Sequence, residues 1–324
     1  MTRAIRMHEH GGPEAMRLEE ITLPSPGPRE AQVRIEAAGV NFIDVYLRTG
    51  LYPSALPFGL GLEGEGTVLA VGEEVRHIEV GDRVAWARAP GSYAEAVNAN
   101  ADALVRLPEG LEIGSGAAAM LQGMTAHYLT HGVRDTRPGD VALVHAAAGG
   151  TGQLLVQLLK RAGARVLGTC STEEKAARVL AAGAERAILY TREDFVAVCK
   201  EATDGRGVDV VYDSVGAETF DRSLTCLRRR GLIALFGQSS GPVPPFELQR
   251  LNQLGSLFIT RPTLFDYVAT REALEERASD VLGAVRDGSL SLMIGARFPL
   301  EKAADAHRAL EGRGTMGKLL LTTA

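Results

Sequence analysis

The sequence contains little cysteine, and its cysteines show no paired spacing. Cysteine occurs only at Cys170, Cys199 and Cys226 among 324 residues, so neither a disulfide framework nor a cysteine-rich zinc site can be built from it. This scarcity is typical of a reducing compartment. The amino terminus, MTRAIRMHEHGG, also lacks the apolar core of a signal peptide. We therefore expect a soluble cytoplasmic protein.

The sequence also lacks an excess of positive charge. Its 35 Lys and Arg residues are outnumbered by 40 Asp and Glu residues, which gives a net charge of -5, so nucleic acids and anionic membrane surfaces are not expected partners. Residues 113–133 and 141–159 are free of charge, but Gly, Gln, Thr and His interrupt both stretches. The second stretch divides into a strand, a glycine loop and a helix, so we predict no membrane span.

The length and the hydrophobic content of 45% indicate about two domains. Up to about residue 100, short strands are separated by Gly and Pro; we predict them at 32–37, 66–71, 82–86 and 92–97. From residue 140 strands alternate with helices, which is typical of parallel βαβ units. The predicted strands are 141–145, 165–169, 187–190, 208–213, 232–236 and 256–260. Six strands match a dinucleotide-binding sheet, so we predict an α/β protein with a mainly β first part.

Several residues mark the predicted helix ends. Ser171 and Glu174 have the spacing of a capping box, and Gly163 and Gly183 stand where helices need a left-handed residue to end. A long helix is predicted over 271–287. A strand at 295–299, a helix ending at 311 and a strand at 317–321 complete the chain.

A glycine loop lies between the first predicted strand of the alternating region and its helix. Residues 146–152 read AAAGGTG. Gly149 would let a pyrophosphate approach the backbone, Gly152 would let helix and strand pack closely, and the helix N-terminus would favour the anion. Ala147 occupies the place of the first glycine of the usual fingerprint. We predict nucleotide binding here; a purely structural turn is the other interpretation.

The residues after the second predicted strand indicate which nucleotide binds. An NAD-binding strand ends with an acidic residue that binds the ribose 2′-hydroxyl, whereas this strand ends at Thr169, Cys170 and Ser171. Lys175 follows one helical turn later, and a cation beside small hydroxyl groups suits a 2′-phosphate. We therefore predict NADPH rather than NADH, although Glu173 lies close by and Lys175 could be a solvated helix residue.

Longer motifs carry a family resemblance over essentially the whole chain. They are AAGVNFIDVYLRTGLYP (37–53), GLGLEGEG (59–66), VGDRVAW (80–86), LQGMTAHYL (121–129), VHAAAGGTG (144–152), YDSVG (212–216) and FGQSSG (236–241). In these motifs the chain resembles the medium-chain dehydrogenase/reductases, and within them the zinc-free NADPH:quinone reductases similar to ζ-crystallin.

The resemblance implies a GroES-like, mainly β catalytic domain (1–118, completed by 290–324), a Rossmann domain with a doubly wound parallel sheet (119–289), and a cofactor cleft at their junction. It also implies which residues contact NADPH. These are Asn41, Tyr46, Thr125, Gly149, Gly150, Gly152, Lys175, Tyr190, Phe236, Ser239 and Arg313.

The resemblance departs from the zinc-dependent alcohol dehydrogenases at their metal ligands. Where those enzymes carry Cys and His, this chain has Asn41 and Phe42, and their Gly-His-Glu segment is Gly61-Leu62-Glu63 here. Amide and leucine side chains cannot replace thiolate and imidazole at a site that needs three protein ligands. The seven histidines show no metal-like clustering with cysteine, so we predict no bound metal.

Without a metal to polarise a carbonyl, the expected substrate is one that accepts electrons readily. A quinone is such a molecule, since reduction makes it aromatic. We predict NADPH-dependent quinone reduction with Asn41, Tyr46 and Tyr52 lining the pocket, and with either tyrosine donating a hydrogen bond to the developing quinol oxygen. Asn41 could instead be a turn residue, and both tyrosines could be packing residues.

Two other functions remain open on the sequence. A reductase of the same group could act on the C=C bond of enones or alkenals, which are also activated acceptors. A cofactor-binding structural or RNA-binding protein is the other possibility, although the net negative charge argues against RNA. The apolar segment SLFIT (256–260) needs covering by a partner, and we predict a homodimer.

Overall fold

Three β-sheets, of three, six and seven strands, contain the strands of the computed structural model, which describes residues 1–312 and 314–323. The chain divides into two units. Unit 1 comprises residues 1–124 and 268–324, and unit 2 comprises Thr125–Tyr267. The domain limits at 118 and 289 stay a prediction.

The strands of the described residues are numbered in chain order. They are β1 (Thr2–Met7), β2 (Met16–Ile21), β3 (Glu30–Val40), β4 (Phe58–Gly59), β5 (Glu63–Val71), β6 (Arg83–Trp86), β7 (Ala96–Asn100), β8 (Val105–Arg106), β9 (Val141–Val144), β10 (Arg165–Cys170), β11 (Arg186–Leu189), β12 (Val208–Asp213), β13 (Leu227–Leu235), β14 (Phe258–Thr260), β15 (Ile294–Pro299) and β16 (Lys318–Thr322).

The α-helices are numbered in the same way. They are α1 (Phe42–Arg48), α2 (Ser115–Tyr128), α3 (Gly150–Arg161), α4 (Glu173–Ala181), α5 (Phe195–Glu201), α6 (Phe220–Cys226), α7 (Gln249–Gln253), α8 (Leu264–Tyr267), α9 (Arg271–Arg286) and α10 (Ala303–Glu311). Within the ranges 1–312 and 314–323, none of the helices has the length and apolarity required to cross a membrane.

Unit 1 contains a mainly antiparallel sheet that joins the two ends of the chain. Its strands have the order β15-β16-β3-β5-β6-β8, with β7 pairing with β3 as well. The register of β16 against β3 places Leu319 opposite Val40, so Lys318 lies beside the start of α1. Trp86, Tyr93 and Leu321 are fully buried in the core that this sheet covers.

Unit 2 contains the predicted parallel sheet of six strands. The order β11-β10-β9-β12-β13-β14 corresponds to 3-2-1-4-5-6 in order of appearance, which is the arrangement of dinucleotide-binding folds. The central strand β9 is Val-Ala-Leu-Val and is fully buried, as expected for a sheet covered on both faces. The sequence prediction of an α/β fold with a separate mainly β part is confirmed.

Local details confirm some sequence signals and correct others. Gly163 and Gly183 adopt φ angles of +84° and +106° just after α3 and α4, as predicted. The capping prediction for Ser171 is wrong: the N-cap of α4 is Thr172, whose side chain accepts a hydrogen bond from the Lys175 backbone N–H. The strand predicted over 92–97 begins only at Ala96.

Candidate active site

The glycine loop of unit 2 has the strand, turn and helix geometry predicted for it. It leaves β9 through Ala146, whose φ is +50°, and enters α3 at Gly150. A Cβ on Gly152 would lie 2.4 Å from the Ala146 carbonyl oxygen and 2.8 Å from the Ala147 Cα. Because both neighbours are backbone atoms, only glycine permits this close approach.

The alanine in place of the first fingerprint glycine is accommodated by the neighbouring strand. A Cβ on Gly168 of β10 would lie 2.8 Å from the Ala147 Cβ. Because Gly168 has no side chain, it leaves room on β10 for the Ala147 methyl group. The first-turn amides of the twelve-residue helix α3 have no intrahelical acceptors, and together with the helix dipole they favour an anion at this loop.

A chain of buried polar groups supports the loop from behind. The Thr169 Oγ1 accepts from the Ala146 N–H (3.3 Å) and lies 3.1 Å from Nδ1 of His145. The His145 Nε2 lies 2.9 Å from Oγ of Ser223, which donates to Oδ2 of Asp213 (3.2 Å). This order makes Nε2 the protonated nitrogen of His145. Burial lowers the pKa of His145, so the ring is neutral.

The carboxylate at the end of this chain also holds the loop that follows β12. The Oδ1 atom of Asp213 accepts from the backbone N–H groups of Val215 (2.8 Å) and Gly216 (3.1 Å) and from the Thr219 hydroxyl (2.9 Å). Sequence reasoning missed this network. Asp213 within the YDSVG motif was the only available signal, since His145 alone is typical of a packing residue.

The remaining predicted cofactor residues of unit 2 lie mainly where its strands end. Ser171 and Tyr190 follow the adjacent strands β10 and β11, and the Tyr190 N–H donates to the Cys170 carbonyl (3.2 Å). Lys175 is in the first turn of α4, Phe236 and Ser239 follow β13, and Thr125 is buried in α2. The predicted contact Arg313 lies outside the described residues.

In unit 1 the structure brings Tyr46 and Tyr52 together. Their ring centroids are 5.2 Å apart, and the Tyr52 N–H donates to the Tyr46 carbonyl (3.0 Å). Tyr46 lies on α1 and is buried, whereas Tyr52 is partly exposed. Their roles as substrate residues stay a prediction.

Asn41 is buried immediately before α1, and its side-chain amide has four neighbours within unit 1. Its Nδ2 donates to Oε2 of Glu63 (2.8 Å) and to the Gly39 carbonyl (3.2 Å). Its Oδ1 accepts from Nζ of Lys318 (2.7 Å) and Nε2 of Gln122 (3.3 Å). The amide is thus oriented by oppositely charged groups, and its predicted contact with a cofactor or substrate stays a prediction.

Glu63 and Lys318 form a buried ion pair beside Asn41. The exposed fractions of their side chains are 0% and 2%, and Nζ of Lys318 donates to Oε2 of Glu63. The other carboxylate oxygen of Glu63 accepts from the Leu121 N–H of α2 (2.6 Å). Sequence reasoning missed Lys318. The available signal was its rarity: lysine occurs only five times in the chain, and this one immediately precedes three leucines.

A second buried network anchors the other side of α1. Oδ2 of Asp44 accepts from the Asn41 N–H (2.9 Å) and the Tyr93 hydroxyl (2.9 Å), while its Oδ1 has no hydrogen-bond partner among the described residues. Burial raises the pKa of Asp44 to about 7. The Tyr93 hydroxyl lies 3.1 Å from Nε2 of His307. Burial, with the nearby charge of Arg48, lowers the pKa of His307 to about 3.

Arg48 completes this network at the last turn of α1. Its guanidinium donates two hydrogen bonds to Glu311 (2.9 and 2.8 Å) and lies 3.3 Å from Nδ1 of His307. Asp44 and Arg48 are four residues apart, so both lie on one face of the helix, and both are buried. This face fixes α1, which carries Tyr46, to the rest of unit 1.

Comparison with known proteins gives two family matches and several full-length relatives. The family described as "Zinc-binding dehydrogenase" matches residues 150–279, and the "Alcohol dehydrogenase GroES-like domain" matches residues 27–131. Quinone oxidoreductase 1 of Escherichia coli is 44% identical over 99% of both chains. A 2-haloacrylate reductase from Burkholderia is 41% identical over 99% of both chains.

The fold agrees with solved structures of the same group. The crystal structure of the Escherichia coli quinone oxidoreductase complexed with NADPH superposes with a TM-score of 0.97 at 44% identity and covers 100% of both chains. A crystal structure of 2-haloacrylate reductase gives a TM-score of 0.85 at 39% identity, over 99% of both chains.

Proposed function

The chain belongs to the medium-chain dehydrogenase/reductase family, in its quinone oxidoreductase group, and on this premise we propose that it reduces quinones with NADPH. The observation that carries the proposal is the 44% identity to a quinone oxidoreductase over 99% of both chains. The shared fold with an NADPH complex of that enzyme supports the choice of cofactor.

The glycine loop fits a dinucleotide. Gly152 leaves a cradle that a Cβ would fill, and the amide of Gly150 at the start of α3 would donate to the pyrophosphate. The Gly149 N–H donates to the Ala146 carbonyl (2.9 Å), so Gly149 would contribute through the close approach that its missing side chain allows. Ser171, Lys175 and Tyr190 would hold the 2′-phosphate, because a cation and hydroxyl groups follow the ends of β10 and β11. When bound, NADPH supplies a hydride from its nicotinamide ring.

The other predicted contacts belong to the same proposal. Thr125, Phe236 and Ser239 lie in unit 2. Asn41 and Tyr46 lie in unit 1 and are proposed for the nicotinamide end, and Arg313 is proposed from its motif alone.

Zinc, which the first family description implies, does not fit the residues of this chain. The Glu63 carboxylate is neutralised by the Lys318 ammonium group, which also lies 2.7 Å from Oδ1 of Asn41. A dication bound to these oxygens would face an unscreened positive charge in a buried site. The described residues also contain no group of three His, Cys, Asp or Glu side chains able to hold a metal. We therefore propose a zinc-free enzyme, which stoichiometric zinc in the purified protein would contradict.

The side chains of unit 1 would bind and orient the quinone. Tyr52 is partly exposed and packs on Tyr46 at 5.2 Å, so both rings can pack against a flat apolar acceptor. A phenol hydroxyl donating to the quinone oxygen would stabilise the negative charge that develops there. A quinone needs no stronger polarising group than this hydroxyl, because its reduction yields an aromatic ring.

The test is turnover by the purified protein with 1,4-benzoquinone, followed as NADPH consumption and compared with NADH. We expect NADPH oxidation that depends on quinone and a much lower Michaelis constant for NADPH than for NADH. Equal Michaelis constants would contradict the assignment of Lys175 to a 2′-phosphate. No consumption of NADPH with any quinone would contradict the proposed function.

Replacing Tyr52 tests the substrate role of the tyrosines. We expect Tyr52→Phe to reduce the turnover number about tenfold through loss of the hydroxyl, and Tyr52→Ala also to raise the Michaelis constant for the quinone. Tyr190→Phe, which changes a hydroxyl proposed for the cofactor, is the matched control and should affect the constant for NADPH instead. Unchanged quinone turnover in both Tyr52 variants would exclude this residue.

Reduction of an activated C=C bond is the second candidate. It is favoured by the 41% identity over 99% of both chains to a protein named 2-haloacrylate reductase, since an acrylate contains such a bond. Turnover of 1,4-benzoquinone, a simple enone and a haloacrylate measured side by side with NADPH would rank the two functions.

We further propose a cytoplasmic homodimer. All three cysteines are free and buried, which fits a reducing compartment. Strand β14 lies at the edge of its sheet, with Phe258 56% and Ile259 39% exposed, and an apolar edge strand favours pairing with another chain. Sedimentation at micromolar concentration should give a dimer; only monomer would contradict this assignment.

A further inference from the structure

The buried ion pair of Glu63 and Lys318 has no role in the function proposed so far. Burying an ammonium group and a carboxylate costs several kcal/mol for each ion, and an ion pair of this kind is often no more stable than apolar side chains of similar volume. The pair lies beside Asn41 and joins three segments: the start of α1, helix α2 through Leu121, and strand β16. These contacts therefore hold the residue immediately before α1.

The two charges fix the orientation of the Asn41 amide. Its oxygen faces the Lys318 ammonium at 2.7 Å, and its NH₂ group faces the Glu63 carboxylate at 2.8 Å. A rotation of the amide by half a turn would place its partly positive NH₂ group against the Lys318 ammonium and its partly negative oxygen against the Glu63 carboxylate, and both contacts would be repulsive. The two opposite buried charges thus strongly reinforce the one orientation that the hydrogen bonds with the Gly39 carbonyl and the Gln122 amide also favour.

The orientation of Asn41 in turn fixes the start of α1. Asn41 precedes the helix, and its backbone N–H donates to Asp44 at 2.9 Å. Tyr46 lies one turn further along the same short helix and packs against Tyr52. A shift of Asn41 would therefore be transmitted to Tyr46 within a helix of only seven residues.

We propose that Lys318 is a positioning residue of quinone reduction, acting with Glu63 through Asn41 on the helix that carries Tyr46. This inference rests on the proposed function. Lys318 touches neither substrate nor cofactor in this role. It supplies a fixed positive charge that orients the amide of Asn41.

The test compares Lys318→Met with the double variant Glu63→Gln/Lys318→Met. The single variant leaves the Glu63 carboxylate buried without its partner, so its melting temperature should fall. The double variant removes both charges and should recover most of that loss. Both should show turnover numbers with 1,4-benzoquinone reduced about tenfold or more, since small misplacements of reacting groups have large effects on rate. The Michaelis constant for NADPH should change less than about threefold, because Asn41 and Tyr46 are proposed only for its nicotinamide end, whereas the groups proposed for its pyrophosphate and 2′-phosphate lie in unit 2 and are unaltered.

Lys302→Met is the matched control. It removes a lysine from the same end of the chain, but this side chain is 60% exposed and lies 3.7 Å from Asp305. The control should keep the wild-type turnover number and melting temperature. All rates are measured well below the melting temperature of each variant.

The outcomes distinguish this inference from the proposed function. If the wild-type protein does not reduce quinones, the proposed function fails. If the wild type is active and either Lys318 variant retains a turnover number within about twofold of it, the positioning role is overturned. A parallel rise in the Michaelis constant for NADPH would show a merely structural role and would overturn it as well. Should the single variant not fold, the double variant decides.

Discussion

The two units hold their candidate site residues by opposite means. In unit 1, four ionisable side chains around α1 are buried: Asp44, Arg48, Glu63 and Lys318. In unit 2, the glycine loop is shaped by backbone contacts, and the groups behind it are hydroxyls and a neutral imidazole that end on one carboxylate. Electrostatics orients the first region and sterics the second, so the two should respond differently to pH, salt and substitution.

The largest effect is expected from Asp44→Asn in unit 1. Burial raises the pKa of Asp44 from 3.8 to about 7, so the folded state retains a proton that the unfolded chain loses. As pH rises from about 4 to 7 this group therefore reduces the free energy of unfolding, by about 4 kcal/mol in total. An amide at this position does not titrate, so the free energy of unfolding of the variant should rise relative to that of the wild type over that range.

His307 provides a check on this prediction. Its pKa is lowered to about 3, so its contribution to stability is present above about pH 6.5 and is lost on acidification. In the wild type, acidification therefore removes the stabilisation from His307 while it restores the stabilisation from Asp44. In the Asp44→Asn variant only the loss from His307 should remain. Urea unfolding of both proteins between pH 4 and 8 measures the difference. Parallel stability curves would contradict the raised pKa of Asp44.

The next effect concerns the steric side of the comparison. Gly152→Ala would place a Cβ 2.4 Å from the Ala146 carbonyl oxygen, so the loop backbone must move away from α3. We expect the affinity for NADPH to fall about 100-fold, measured by fluorescence titration. Gly283→Ala is the matched control, since a Cβ at Gly283 in α9 would have no atom within 4 Å. Unchanged affinity in the Gly152 variant would show that the loop does not bind the cofactor.

The same difference explains what the sequence could and could not predict. The βαβ order and the close approach at Gly152 depend on neighbouring residues and on glycine, so a short motif predicts them. The pair of Glu63 and Lys318 joins residues 255 positions apart, and no local pattern indicates that β16 lies beside β3. Lysine occurs only five times in the chain, but this rarity assigns no role to Lys318. Tyr93, His307 and Arg48 carry no signal either, because a buried polar or charged group is recognisable only when its partner is known.

A smaller effect is expected from the hydrogen-bond chain behind the loop. Thr169→Val keeps the shape of the side chain but removes the hydroxyl that binds both the Ala146 N–H and His145. Leaving these buried groups unpaired should lower the free energy of unfolding by about 1–3 kcal/mol and weaken NADPH binding severalfold. Thr322→Val on β16, where the hydroxyl makes only a 3.4 Å contact, is the control. Equal effects of the two substitutions would mean that the chain does not support the loop.

The smallest effect concerns exposed charge in unit 2. Glu173 and Arg192 pair at 3.0 Å, and each is 71% exposed, so Glu173→Gln should change the free energy of unfolding by less than about 0.5 kcal/mol. The substitution removes a negative charge two residues from Lys175 and should lower the Michaelis constant for NADPH about twofold at low salt. At 1 M salt the Debye length is about 3 Å, and the change should disappear.

Glu201→Gln is the control for this last substitution, because Glu201 is also exposed but pairs with Arg186 at the start of β11. Arg186 lies at the N-terminal end of β11, whereas Ser171 and Lys175 follow the C-terminal end of the adjacent strand β10, so the same change of charge should leave the Michaelis constant for NADPH unaltered. Salt should also leave the reduction of the turnover number by Lys318→Met unaltered, since screening ions do not reach a side chain that is 2% exposed. An equal salt response of the Glu173 and Lys318 variants would contradict the contrast between exposed and buried charge.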